Sequence, residues 1–117
     1  MTREQRLHPR ATVGLPAKIQ VVGQPGWERV ILVDISEGGS GIQAAAELPL
    51  QSELHLRFTL PADDEPAVEL EASCLVMRAT RMTRADEDLP VRIGLHFLPV
   101  AGATLDSVRR WVWSRLN

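Results

Sequence analysis

The stretch Val30-Ile31-Leu32-Val33-Asp34-Ile35-Ser36-Glu37-Gly38-Gly39-Ser40-Gly41 runs from a series of apolar, mostly β-branched residues straight into three glycines within four positions. Such a run favours a strand, and the glycines end it in a loop whose backbone is free to take φ > 0. Asp34 and Ser36 stand two apart, a spacing that on extended backbone places both side chains on one face. Gly38 and Gly39 keep the neighbouring main chain open to close approach. A strand delivering a carboxylate and a hydroxyl to a bare glycine loop is a candidate polar recognition site.

Upstream, residues 1–16 are polar and basic, punctuated by Pro9, Gly14 and Pro16, and show neither helical nor strand periodicity. They read as an N-terminal arm, with 17–117 as the folded domain. Ala17 to Val22 is expected as a first strand, Gly23-Gln24-Pro25-Gly26 as a turn, and Trp27 to Ile35 as the returning strand. Downstream, Gly41 to Ala45 reads as a short strand. In the next, Leu54, Leu56, Phe58 and Leu60 alternate with His55, Arg57 and Thr59, the period of a half-buried strand. Val68 to Arg81 is extended, with Val68, Leu70, Ala72, Cys74 and Val76 on one face; apolar Leu75 and Met77 on the other require either cover on both sides or a bulge. Val91 to Phe97 is the last strand, with Ile93, Leu95 and Phe97 inward.

Pro99 stops that strand, and Thr104 is a plausible N-cap for a helix over 104–116 with a stripe of Leu105, Val108, Trp111, Val112 and Leu116. Six short strands and one helix favour a small closed barrel, because closure leaves no strand edge exposed.

Two spacings have more specific content. Asp34, Ser36 and Gly39 spell D-x-S-x-x-G, and Arg6-Leu7-His8-Pro9-Arg10 spells R-x-x-x-R. In an arginine-rich chain the second arises easily by chance; the first is far rarer and carries most of the weight. In this order, with Val91-Arg92-Ile93-Gly94-Leu95-His96-Phe97 following as a Gly-x-x-Phe strand, the chain resembles a PilZ domain, the bacterial receptor module for cyclic di-GMP. The resemblance implies a six-stranded antiparallel β-barrel with a C-terminal α-helix and a flexible N-terminal arm. It also implies cyclic di-GMP as ligand, with no further cofactor. Arg6 and Arg10 would grip phosphate and guanine from the arm, and Asp34, Ser36, Gly38 and Gly39 would form the barrel half of the site, the arm folding over bound ligand.

Arginine suits that task because its planar fork pairs with guanine or phosphate and stacks on bases, while a carboxylate accepts from the guanine N–H groups. Gln5 stands where many members have a further arginine, which leaves the stoichiometry open. Met77 or Arg78 lies near where some members stack a side chain on guanine.

Composition narrows the function classes. The chain has 117 residues, 44% apolar and 24% charged, as expected of one globular domain. Net charge is −2, with positive charge concentrated in residues 1–18, which argues against general DNA, RNA or anionic-membrane binding. Cys74 is the single cysteine, so no intrachain disulfide forms, and its apolar face makes it a core residue. The start MTREQRLHPR has no apolar segment behind it and no run is long enough to span a membrane, so a cytoplasmic protein is expected. His8, His55 and His96 lack metal-ligand spacing, and Ser36 with Asp34 offers no nucleophile elbow, so no catalysis is expected. The expectation is a receptor that signals through an unidentified effector protein; the alternative is a PilZ-like adaptor that binds no nucleotide.

Overall fold

The computed structural model describes residues 11–61, 67–82, 88–99 and 102–116. Six strands follow in order, β1 (Ala11–Val21), β2 (Glu28–Ile35), β3 (Gly39–Ala44), β4 (Glu53–Leu60), β5 (Val68–Arg81) and β6 (Val91–Phe97), then one helix, α1 (Gly102–Leu116). All neighbours are antiparallel, and the sheet closes on itself in the order β1-β2-β3-β6-β5-β4. This is the expected six-stranded barrel with a C-terminal helix.

Alternation fills the interior. Leu54, Leu56, Phe58 and Leu60 of β4 are buried, as are Leu70, Ala72, Cys74 and Val76 of β5 and Val91, Ile93, Leu95 and Phe97 of β6. Each fully buried Val, Leu, Ile or Phe side chain contributes about 1.5–3 kcal/mol of transfer free energy. Val108, Trp111 and Val112 of α1 join the same core, and the Trp111 indole N–H donates to the carbonyl of Pro61 at 2.7 Å. The helix therefore closes off the core beside the end of β4. In the β1–β2 turn, Gly23 and Gly26 take φ of 91° and 82°, which glycine adopts without steric cost.

Two boundaries differ from expectation. The first strand begins at Ala11 rather than Ala17, although Gly14 and Pro16 read as strand breakers. β1 pairs with β4 only from Ala17 onward, so Pro16 has β2 as its sole partner, an edge position that tolerates the missing N–H. A register shift between Thr12 and Leu15 accommodates the segment holding Gly14. The helix starts at Gly102, ahead of the expected Thr104. Arg6 and Arg10 lie outside the described residues.

β3 and β6 approach closely at Gly39, which is opposite His96; a Cβ there would overlap the carbonyl oxygen of Leu95. Gly39→Ala should therefore force β6 to shift, with an expected loss of about 1–3 kcal/mol or more, read by urea unfolding. A variant as stable as the parent would show that the seam yields freely.

Burial pushes the Cys74 thiol up from the usual 9.0 to about 12. Because the folded value lies above the unfolded one, the neutral thiol's contribution is intact below about pH 9 and is lost as pH rises toward 12. The chain has no tyrosine, and Lys18 is its one lysine, so few other groups titrate in that window. Urea unfolding from pH 8 to 10.5 should show stability falling above about pH 9, with a flatter profile for Cys74→Ala. Equal slopes would assign the loss to other groups.

Candidate functional site

Four residues on four adjacent strands form one row across the outside of the barrel. Asp34 on β2 is opposite Gly41 on β3, Gly41 is opposite Gly94 on β6, and Gly94 is opposite Arg78 on β5. The two central residues have no side chain of their own, and the Arg92 guanidinium lies over Gly41 and the Arg78 side chain over Gly94. Arg92 and His96 flank it, since Val91, Ile93, Leu95 and Phe97 face inward and leave the alternate side chains of β6 outside. Gly38, Met77 and Thr80 complete the walls of an open pocket of about 390 Å³.

Two bulges make this row possible. β2 buries Val30 and Leu32, so strict alternation would turn Asp34 inward; the register shift between Leu32 and Asp34 leaves Val33 extra and sends Asp34 outward. β5 buries Cys74 and Val76, and the shift between Val76 and Arg78 does the same for Arg78. Of the two possibilities for the second half of β5, the bulge is the one realised, with Met77 48% exposed.

Asp34 is held from two sides. Its Oδ1 accepts the Gly41 N–H at 2.8 Å, and its Oδ2 pairs with the Arg92 guanidinium at 3.0 Å. Gly41 leaves room for this pair, since a Cβ would lie 3.0 and 3.1 Å from the Arg92 nitrogens and 3.1 Å from Asp34 Oδ2, and the two side chains would have to give way by a few tenths of an ångström. Above Gly94 there is room only for a small side chain, because Arg78 lies over it with Nε 3.6 Å from a would-be Cβ. Around the row, the described charges are one carboxylate and two guanidinia, which suits an anionic ligand.

The motif residues have unequal roles. Asp34 and Gly38 line the pocket. Gly39 is buried in the β3–β6 seam, so its lack of a side chain serves strand approach. Ser36 does not share a face with Asp34. β2 ends at Ile35, the Ser36 N–H donates to Gly39 O at 2.9 Å, and the buried Ser36 hydroxyl accepts the Gly38 N–H at 3.2 Å. Ser36 shapes the turn from within, the local bonding that serine commonly offers. Ser40, also buried, donates its hydroxyl to Asp34 O at 2.8 Å and ties the two strands together behind the carboxylate.

Sequence reasoning missed Arg92 and Gly41. Arg92 precedes an inward residue in an alternating strand, so its outward direction was legible; that β6 lies beside β3, and hence beside Asp34, was not. Arg78, suspected but unplaced, proves to face the pocket. Trp27 lies elsewhere, with the Arg57 guanidinium 4.2 Å from its ring centre. The loop that carries the motif also reaches the helix: Glu37 pairs with Arg109, and the two line a small indentation with Val112 and Trp113. Among the described residues there is no group of three or more His, Cys, Asp or Glu able to hold a metal ion, and no helix long and apolar enough to cross a membrane.

Comparison with solved structures finds the same barrel. Bacillus subtilis inhibitor of motility (MotI/DgrA) superposes with a TM-score of 0.80 at 18% identity, over 95% of this chain and 51% of that one. This chain thus spans about half the length of that protein. The PilZ domain of Escherichia coli YcgR with c-di-GMP gives 0.69 at 18% identity, over 96% and 92% of the two chains. The Klebsiella pneumoniae MrkH–c-di-GMP complex gives 0.72 at 14%, over 95% and 52%. At such identities the likeness establishes the fold. No curated protein matches by sequence. The PilZ domain profile, however, matches residues 4–113, nearly the whole chain, and with the barrel and the C-terminal helix in agreement, this protein belongs to the PilZ domain family.

Proposed function

We propose that this chain is a non-catalytic receptor for cyclic di-GMP that signals by presenting a changed surface to a protein partner. PilZ domains are cyclic di-GMP receptors without catalytic activity, and the solved YcgR and MrkH structures hold that nucleotide. The observation that carries the reading for this chain is the row of Asp34, Gly41, Gly94 and Arg78 with Arg92 beside it. Arg92 and Arg78 lie over the two glycines, where their guanidinia would meet phosphates or stack on a purine, and the carboxylate beside them accepts guanine N–H groups.

Arg6 and Arg10 supply the remaining cations in this reading. The entry of β1 supports it: Ala11, bonded to Arg10, is opposite Ile35, and Thr12 is opposite Asp34, so the chain joins the barrel at the edge of the pocket. Glu37 and Arg109 give the occupied loop a route to α1, whose Trp113 is 48% exposed and would face the partner. A PilZ-like adaptor without nucleotide is the second reading, and the complete D-x-S-x-x-G and R-x-x-x-R motifs count against it.

Isothermal titration with cyclic di-GMP, with GTP and cyclic di-AMP as controls, tests the proposal and gives the stoichiometry that Gln5 leaves open. Arg10→Ala and Asp34→Asn are each expected to weaken binding by about tenfold or more, the worth of one charged hydrogen bond. Asparagine keeps an acceptor for the Gly41 N–H, so the barrel should melt within a few degrees of the parent. A folded parent protein that takes up no cyclic di-GMP would move the assignment to the adaptor reading; unchanged affinity in either variant would remove that residue from the site.

A further inference from the structure

We propose that the groove where β1 and β4 part is a docking site for an acidic segment of a partner protein, with Lys18 and Arg29 as its anchors. The inference does not depend on what the Asp34 pocket holds, and the groove is a contact apart from Trp113 on α1. β1 pairs with β4 only from Ala17 to Val21, so ahead of Ala17 the two strands separate. Leu15 and Pro16 from one strand, with Thr59 and Pro61 from the end of the other, line an open groove of about 450 Å³. These are the two strands that contribute nothing to the lining of the Asp34 pocket.

Three cations stand in one row along this groove. Lys18 on β1 is opposite Arg29 on β2 and opposite Arg57 on β4, and all three line it. Their neighbours Ala17, Ile19, Val30, Leu56 and Phe58 are buried, so alternation turns the three outward on a single face. Like charges directly opposite one another cost stability, and the chain as a whole carries a net charge of −2, so a generally basic surface does not account for the row. Arg57 has partners of its own: its Nη2 lies 3.0 Å from Glu71 Oε1, and its guanidinium 4.2 Å from the centre of the Trp27 ring. Lys18 and Arg29 are exposed, and neither makes an ion pair among the described residues. Their charges are open to carboxylates that a partner brings.

The occupant follows from the mixture of surfaces. A bilayer or a nucleic-acid strand calls for a broad basic field, and here Glu69 lines the groove while Glu71 engages Arg57, which confines the open positive charge to β1 and β2. A peptide segment matches both parts: an apolar side chain enters between Leu15, Pro16 and Pro61, and flanking carboxylates meet Lys18 and Arg29.

The test selects random dodecapeptides displayed on phage against the full chain, with and without cyclic di-GMP, and titrates the enriched peptides as synthetic compounds. The expected result, in either condition, is enrichment of sequences that cluster Asp and Glu beside an apolar residue. Their affinity should fall about tenfold or more in the double variant Lys18→Gln, Arg29→Gln, as for loss of charged hydrogen bonds. Arg81→Gln, at an exposed β5 position outside the groove, should stay within about twofold of the parent. Thermal melts supply a second readout: with the like-charge row relieved, the double variant should melt at or above the parent. A lower melting temperature would assign the row to the fold and overturn the proposal. So would a selection that enriches no acidic peptide in either condition, or a double variant that binds the peptides as tightly as the parent. Phosphatidylglycerol vesicles and a single-stranded oligonucleotide are titrated in parallel. Binding of either that the double variant loses, in the absence of an acidic peptide, would give the groove to a membrane or a nucleic acid and overturn the assignment to a protein.

Discussion

A strand sends successive side chains to opposite faces, and closing the sheet into a barrel makes one of those faces the core. Polar residues can reach the outside only at the right parity, so a carboxylate at the wrong parity would have to enter the core or break the alternation. β2 and β5 break it, at Val33 and Met77. Each bulge lets the strand go on burying apolar side chains while it turns one charged residue outward, Asp34 in one case and Arg78 in the other. The site depends on these two dislocations more than on any single contact.

Between the two charged residues, β3 and β6 supply the floor. Gly41 and Gly94 face one another across the ladder, and Gly39 allows the two strands to close where a methyl group would strike the Leu95 carbonyl. The three glycines thus act differently: Gly39 permits the barrel seam, Gly41 permits the Asp34–Arg92 pair, and Gly94 lies under the Arg78 side chain. Ser36 and Ser40 are the buried polar residues that hold this corner, and both hydroxyls are bonded to main chain. Pocket and fold therefore share atoms at this corner.

The loop also has an outward connection. Glu37 stands between Ser36, inside the turn, and Gly38, at the pocket, and it pairs with Arg109 on α1. That pair is largely solvated and adds little to stability by itself. Its position matters more than its strength, because it links the pocket-lining loop to the helix that packs Val108, Trp111 and Val112 into the core.

Much was legible in the linear sequence. Period-two alternation placed β4, β5 and β6 and named their inward residues, because side-chain direction in a strand is a local property. The rare D-x-S-x-x-G spacing pointed to the loop, and the apolar stripe pointed to the helix. What the sequence could not settle was long-range. Pro16 and Gly14 read as breakers, yet β1 runs through them because only one neighbour is present there. Asp34 and Ser36 looked like a pair sharing a face, but the chain turns after Ile35 and Ser36 is drawn inside. Arg92 and Asp34, 58 positions apart, meet only because β3 pairs with β2 on one side and β6 on the other. Local pattern fixes which way a side chain points; which strands become neighbours is set by closing the whole barrel, and that choice brought Arg92 and Arg78 to the pocket that Asp34 and Gly38 also line.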